Sequence, residues 1–351
     1  MRFTPRSAAL FALLACRFVV ATAAGSEPLQ RHAQTQVHMG VEFQVVLYAS
    51  SAEQAEAAIA AAMQRIAKLD KALSDYDLES ELSKLSDTSH GSRNAAGHFP
   101  AVPVSEDLWK VLSAAQEISR QSAGALDVTI GPLTKLWRRA RRWKELPEES
   151  QLAEARASVG WQALKLDDQQ HTAELLLPKM RLDLGGIAKG YAAEEAVKQA
   201  VAKGVTRVLV RGSGDIAAAD PPPGERGWRV GIAPLDPTQE PSRFVEIAHA
   251  CISTSGDAQQ HLVINGRRYS HILDPRTGLG VPGRSSVTVI APRGAVADGL
   301  DTAVSVLGPE AVRSLIQKYE AAEFYMVYED EAGKQRVIES PGFKNFDAPA
   351  R

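Results

Sequence analysis

The segment Leu182-Asp183-Leu184-Gly185-Gly186-Ile187-Ala188-Lys189-Gly190 is the strongest constraint on the fold. Its paired glycines demand a tight turn where a β-rich stretch meets a helix. A carboxylate precedes the turn and a lysine follows it. Backbone N–H groups at a helix start can cradle an anion, and Lys189 stands where it can meet a phosphate. No Gly-Lys-Ser/Thr closes the segment, so it is not a Walker loop. Read alone, the same residues describe a tight turn with a buried cap equally well.

The 351 residues, 44% hydrophobic and 23% charged, suffice for a real core. With 40 basic and 42 acidic side chains the net charge is −2, which argues against a whole-protein nucleic-acid binder. Cys16 and Cys251 are far apart and lack His-rich neighbours, which excludes a zinc finger or a disulfide scaffold.

Residues 1–24 begin with Arg2 and Arg6, run through an apolar stretch and reach Ala21, Ala23 and Ala24, the build of an export signal. Arg17 interrupts that stretch, which is shorter than the ~20 residues of a spanning helix. Leu13-Leu14-Ala15-Cys16 offers a second processing point, a lipobox that would make Cys16 the lipidated first residue. The soluble and lipid-anchored versions both stay open. Either sends the chain out of the cytoplasm, to the periplasm, and either leaves Cys251 without a disulfide partner.

Beyond the signal the pattern predicts a mixed α+β unit without internal repeats. Val37–Tyr48 reads as a strand. Ser51-Ala52-Glu53-Gln54 opens a helix with Ile59, Met63, Ile66, Leu69 and Leu73 on one face. A second helix is expected from Ser105 to Ser122, and a third over Lys189–Lys203, stopped by Gly204. Short strands follow at Arg207–Val210, Trp228–Ile232 and Phe244–Ala248. His261–Ile264 turns through Asn265-Gly266 into Arg267–Ile272 as a hairpin. Ser285–Ala291 is another strand, followed by a helix from about Val296, a further helix after Gly308-Pro309 and a strand at Glu323–Tyr328. Asp220–Gly224 is a loop.

Gly212-Ser213-Gly214-Asp215-Ile216-Ala217 follows a strand and imitates a dinucleotide fingerprint. It runs into Pro221-Pro222-Pro223 instead of opening a helix, so a pyrophosphate would find no helix N-terminus there. Trp137-Arg138-Arg139-Ala140-Arg141-Arg142-Trp143-Lys144 mixes aromatics with cations, as single-strand binders do. It reads better as a solvated helix face with two anchoring Trp residues. Attraction of a phosphate-bearing ligand or an acidic partner stays open.

Asp298-Gly299-Leu300-Asp301-Thr302 opens a helix. Spacing i, i+3, i+4 gathers Asp298, Asp301 and Thr302 on one face, so three oxygen side chains can converge on a hard cation such as Mg²⁺. N-terminal capping by acidic residues is the competing explanation.

Seven segments then stand in one order over roughly residues 38–343. They are His38-Met39-Gly40; Leu73-Ser74-Asp75-Tyr76 with Ser80-Glu81-Leu82; Gly124-Ala125-Leu126-Asp127-Val128-Thr129-Ile130-Gly131-Pro132-Leu133; the glycine-rich turn; Ser253-Thr254-Ser255-Gly256-Asp257; Tyr269-Ser270-His271-Ile272-Leu273-Asp274-Pro275-Arg276-Thr277-Gly278; and the Asp298 segment. This series resembles the ApbE family of FAD:protein FMN transferases. The resemblance implies a single compact, T-fold-related α/β domain of mixed sheets and packed helices over residues 30–345. It also implies an activity: moving FMN from FAD onto a Thr or Ser hydroxyl of an exported redox protein, with Mg²⁺ assistance and release of AMP. By the same resemblance FAD meets Met39, Tyr76, Ala125, Leu126, Asp127, Asp183, Lys189 and Ile272. Mg²⁺ meets Asp298, Asp301, Thr302 and the carbonyl of Gly186, and His271 handles the proton.

Two positions depart from the family pattern. Val41 stands where Thr is usual and Leu126 where Phe is usual, which removes a hydroxyl and a ring from the expected FAD contacts. The metal residues and His271 are intact. Two other readings remain at this stage: an Mg²⁺-dependent FAD pyrophosphatase yielding FMN and AMP, and a flavin-binding protein without chemistry.

Overall fold

A computed structural model describes residues 28–256 and 261–349. The expected export signal, Cys16 and Asp257 lie outside the described residues. The N-terminal part contains β1 (Gln30–His38), β2 (Val41–Ala49), α1 (Ala52–Leu73), α2 (Glu81–Thr88), β3 (Val102–Pro103), α3 (Glu106–Gln121), α4 (Gly131–Trp143) and α5 (Glu149–Arg156). The middle contains β4 (Leu164–Asp167), β5 (Thr172–Leu175), α6 (Ala188–Ala202), β6 (Val208–Gly212), β7 (Asp215–Ala218), β8 (Trp228–Gly231), β9 (Phe244–Ile247) and β10 (Ala250–Gly256). It closes with β11 (His261–Ile264), β12 (Arg267–Asp274), β13 (Leu279–Pro282), β14 (Ser285–Ala291), α7 (Gly294–Leu307), α8 (Val312–Ile316), β15 (Glu323–Glu329) and β16 (Gln335–Glu339).

The main sheet is antiparallel with strand order β1-β2-β6-β7-β10-β14-β15-β16. Its period-2 alternation feeds two cores. On β2, Phe43, Val45 and Leu47 face the large core with α1, α6 and α7, while Val46 faces a smaller one built with Trp228, Val245, Ile247 and Phe343. On β14, Val287, Val289 and Ala291 face the large core and Ile290 the smaller. A sheet covered on both faces explains why every residue of β14 from Ser286 to Ala291 is buried.

The expected helices form where their caps stand. Ser51 Oγ accepts from Gln54 N at 3.2 Å and Ser105 Oγ from Leu108 N at 3.3 Å. Gly204, at φ +81°, ends α6 as a residue without Cβ can. The Asn265-Gly266 hairpin joins β11 to β12 with both turn residues at positive φ.

One expectation is corrected. Val37–Tyr48 is not one strand, because Met39 (φ +49°) and Gly40 (φ +72°) fold it into the β1–β2 hairpin. Met39 N donates to Asp70 Oδ2 at 2.9 Å, which ties the turn to the end of α1. Among the described residues no helix is long and apolar enough to cross a membrane.

Candidate functional site

The glycine-rich turn delivers Lys189 into the first turn of α6, where it faces β7 and α7. Its Nζ donates to the Gly185 carbonyl at 2.8 Å and lies 3.3 Å from Asp215 Oδ2 and 3.5 Å from Asp298 Oδ2. Asp298 Oδ2 also accepts from Gly190 N at 3.0 Å. α7 therefore begins against the start of α6. A Cβ on Gly186 would come within 2.8 Å of Thr302 Oγ1, so that hydroxyl lies against the turn. Asp298, Asp301, Thr302, Gly186 and Lys189 come together at this turn.

The sheet supplies the remaining groups. Asp215 begins β7 and pairs with Ser253 on β10. Ser253 Oγ sits 2.6 Å from Asp215 Oδ1 and 2.5 Å from Asp301 Oδ2, and Ser255 Oγ sits 2.8 Å from Asp301 Oδ1. A hydroxyl has one proton to donate, so Ser253 cannot satisfy both carboxylates. Three buried carboxylates thus share one lysine. Burial would lower the Lys189 pKa, but Asp215, Asp298 and Asp301 outweigh it and hold the ammonium protonated. Burial and then the Asp215 charge push Asp298 up to about 7, against the pull of Lys189. Burial, followed by its two acidic neighbours, raises Asp301 well above the carboxylate range.

Asp215 was missed by the sequence reading, which met it only inside the rejected Gly212-Ser213-Gly214 fingerprint. That rejection holds. The glycines make a hairpin turn pressed on β10, where a Cβ on Gly214 would lie 2.5 Å from the Thr254 carbonyl oxygen.

Asp183 anchors the near side of the turn. Its Oδ1 accepts from Gly185 N at 2.8 Å, and its Oδ2 lies 3.4 Å from Arg138, which also reaches Asp75 at 2.6 Å. The Arg138 guanidinium covers the ring of Tyr76 at 4.1 Å, while Tyr76 itself remains 75% exposed. Burial and the Asp183 charge raise the Asp75 pKa, and Arg138 opposes them.

Ala125, Leu126 and Asp127 are buried beside α3. Asp127 Oδ1 accepts from Thr129 N at 2.8 Å and from its hydroxyl at 2.6 Å, and Oδ2 accepts from Trp161 N at 2.9 Å. Its carboxylate holds the loop together. Burial nevertheless raises its pKa, as those three hydrogen bonds only partly offset the lost water.

His271 and Ile272 lie in β12, whose register against β13 shifts between Tyr269 and Leu273. A bulge re-aims side chains next to it, and β12 packs against α7. His271 is half-buried and Ile272 is buried. The expectation of two anchoring Trp residues on α4 is corrected: Trp137 is buried, whereas Trp143 is 54% exposed with Arg139 stacked 4.1 Å over its ring.

The sequence model of the ApbE family matches residues 39–326. The chain belongs to the ApbE family. Among curated ApbE relatives, the FAD:protein FMN transferase of Escherichia coli K12 is 31% identical over 283 residues, covering 79% of this chain and 78% of the relative. That of Salmonella typhimurium LT2 is 34% identical over 250 residues, 70% of this chain and 71% of the relative. Solved ApbE structures share the architecture. The Vibrio cholerae flavin transferase ApbE superposes with TM-score 0.78 at 25% identity, over 91% of this chain and all 100% of that one. The apo flavinyl transferase ApbE of Pseudomonas stutzeri gives 0.77 at 27% identity, over 92% and 98%.

Proposed function

We propose that this chain is an exported, Mg²⁺-dependent FAD:protein FMN transferase that moves FMN from FAD to a Thr or Ser hydroxyl of a redox protein and releases AMP. The observation that carries the reading is the buried set of Asp215, Asp298 and Asp301 against the single cation Lys189, at a glycine-rich helix start. Family membership and relatives named FAD:protein FMN transferases support the same activity.

The residues fit a divalent ion. Two buried carboxylates on α7, the Thr302 hydroxyl and the Gly186 carbonyl are hard oxygen donors, and one lysine leaves excess negative charge. Among the described residues no group of three His, Cys, Asp or Glu side chains is placed to hold a metal ion by itself, so a divalent ion here would draw on the hydroxyl and carbonyl donors as well. Mg²⁺ is bound in this way, through one or two carboxylates with water and substrate phosphates completing its shell. When bound, it would neutralise charge developing on the phosphoryl oxygens.

Lys189 would hold the pyrophosphate and share that charge. The acceptor hydroxyl attacks the phosphorus of the FMN half. The P–O bond to AMP breaks, AMP departs with the bridging oxygen, and His271 takes the hydroxyl proton. Asp183 shapes the turn by accepting from Gly185 N. Tyr76 offers an exposed ring for the flavin nucleotide, and the buried Ala125, Leu126 and Ile272 its apolar wall.

The test is to incubate the chain lacking residues 1–24 with FAD, Mg²⁺ and a flavin-accepting domain of an exported redox protein, following acceptor mass and free nucleotide. Acceptor mass rising by FMN as AMP appears is the expected result. Free FMN and AMP with an unmodified acceptor would replace transfer by pyrophosphate hydrolysis. Bound but uncleaved FAD would leave only a flavin-binding protein.

A further inference from the structure

The helix α4 turns its basic residues outward beside the site. A cleft of about 470 Å³ is lined by Lys135, Arg138, Arg139, Arg142, Trp143, Arg181 and Asp75. Five cations therefore meet one carboxylate, and that carboxylate is already paired with Arg138. Lys135 and Arg142 are exposed, and among the described residues neither has an ion-pair partner. A concave wall lined by one sign of charge focuses its field and draws in an anionic partner.

Position and rim identify the partner. Asp75 precedes Tyr76, and Arg138 joins Asp75 to Asp183 of the glycine-rich turn, so the cleft opens next to the transfer site. Two exposed aromatic side chains flank it: Trp143 in its lining and Tyr76 under Arg138. Arginine with aromatic residues is the composition of protein–protein hot spots, and guanidinium forks match carboxylates. A lipid surface would call for a convex basic face, whereas this one is concave and contains Asp75. The pyrophosphate of FAD already has Lys189.

We infer that this cleft docks an acidic stretch of the acceptor protein and thereby presents its hydroxyl to the transfer site. The inference rests on the transferase reading above. Docking acts through encounter and residence, so it governs the KM for acceptor and its salt dependence, whereas kcat at saturation follows the chemistry.

The experiment pairs two measurements on the chain lacking residues 1–24. A fluorescent Asp/Glu-rich peptide is titrated by anisotropy, and FMN transfer to the redox domain is measured against acceptor concentration and salt. In Lys135→Glu/Arg142→Glu, peptide affinity should fall and acceptor KM should rise, each by about tenfold or more, with FAD affinity within twofold. The neutral pair Lys135→Gln/Arg142→Gln should give a smaller loss in the same direction, and the peptide should compete with the acceptor but not with FAD. Unchanged peptide binding and KM would overturn the inference. Equal loss of FAD affinity would assign the cleft to the nucleotide and overturn it too. Loss of binding to phosphatidylglycerol vesicles with acceptor KM unchanged would assign the cleft to lipid and likewise overturn it. If the wild-type chain transfers no FMN, the transferase reading fails on its own, and the peptide titration still judges the cleft.

Discussion

Gly190 and Gly294 meet back to back: a Cβ on Gly190 would come 2.2 Å from the Gly294 carbonyl oxygen. The contact brings α6 and α7 close enough for Gly190 N to donate to Asp298. The obstacle is backbone, which cannot rotate aside as a side chain would. Gly190→Ala should lower unfolding stability by about 1–3 kcal/mol or more. It should also reduce FMN transfer beyond what the unfolded fraction explains. Thermal unfolding and kcat on the same preparation check this, and wild-type activity in a folded variant would refute the positional role.

Lys189 is the cation on which the buried carboxylates depend. Lys189→Met removes it, and under the proposed mechanism, in which this charge meets the pyrophosphate, kcat should fall by about 10²–10³-fold. The variant should also unfold at lower temperature, since like charges stay buried together. Asp298→Ala removes one of the proposed Mg²⁺ donors and should abolish the response of transfer to added Mg²⁺ while FAD still binds. Undiminished turnover in Asp298→Ala would refute the metal assignment.

What the sequence revealed was local. The caps at Ser51 and Ser105, the stop at Gly204 and the Asn265-Gly266 hairpin depend on residues within a few positions of each other. Asp298, Asp301 and Thr302 share a helical face for the same reason. Asp215 lacked such a signal: it reaches the site through the pairing of β7 with β10, about forty residues on in the chain. The break at Met39-Gly40 escaped because alternation runs unbroken across it and Met does not announce a positive φ. Trp137 and Trp143 were separable in principle, because six residues at 100° each turn about 240°, onto a different face.

Asp127 illustrates a residue whose place in a binding motif conceals structural work. Both carboxylate oxygens accept hydrogen bonds from the loop, one reaching Trp161. Asp127→Asn directs an amide N–H₂ at an N–H or hydroxyl donor and should destabilise by about 1–3 kcal/mol. FAD affinity should fall as the loop carrying Ala125 and Leu126 loosens. Denaturant titration beside FAD fluorescence separates the two effects, and a variant of unchanged stability would refute the anchoring role.

The core carries its own pH limit in the Arg65 cluster. Arg65 bridges Asp107 at 2.5 Å and Glu195 at 2.5 Å, joining α1, α3 and α6, and the Tyr191 hydroxyl donates to Asp107 at 2.8 Å. The Arg65 hydrogen bond is the chief cause holding Asp107 below its ordinary value. Burial pushes Glu195 up, but hydrogen bonds from Lys198 and Arg65 outweigh it and leave it lowered. Lowered carboxylate pKa values stabilise the folded state above the unfolded values near pH 4, and that stability is lost as pH falls through the folded values. The cluster's contribution should therefore stay level from neutral pH to about 5 and be lost below that, while the raised Asp298 and Asp301 act in the opposite sense, adding stability as pH falls from about 7. Arg65→Met removes the shared partner and leaves two buried carboxylates, which should cost about 3 kcal/mol at neutral pH. Its acid limb should be shallower or absent, because carboxylates left buried without Arg65 take up protons more readily folded than unfolded, so their penalty eases as pH falls. Urea unfolding from pH 3 to 8 measures both curves, and parallel acid limbs would show that the cluster does not set the limit.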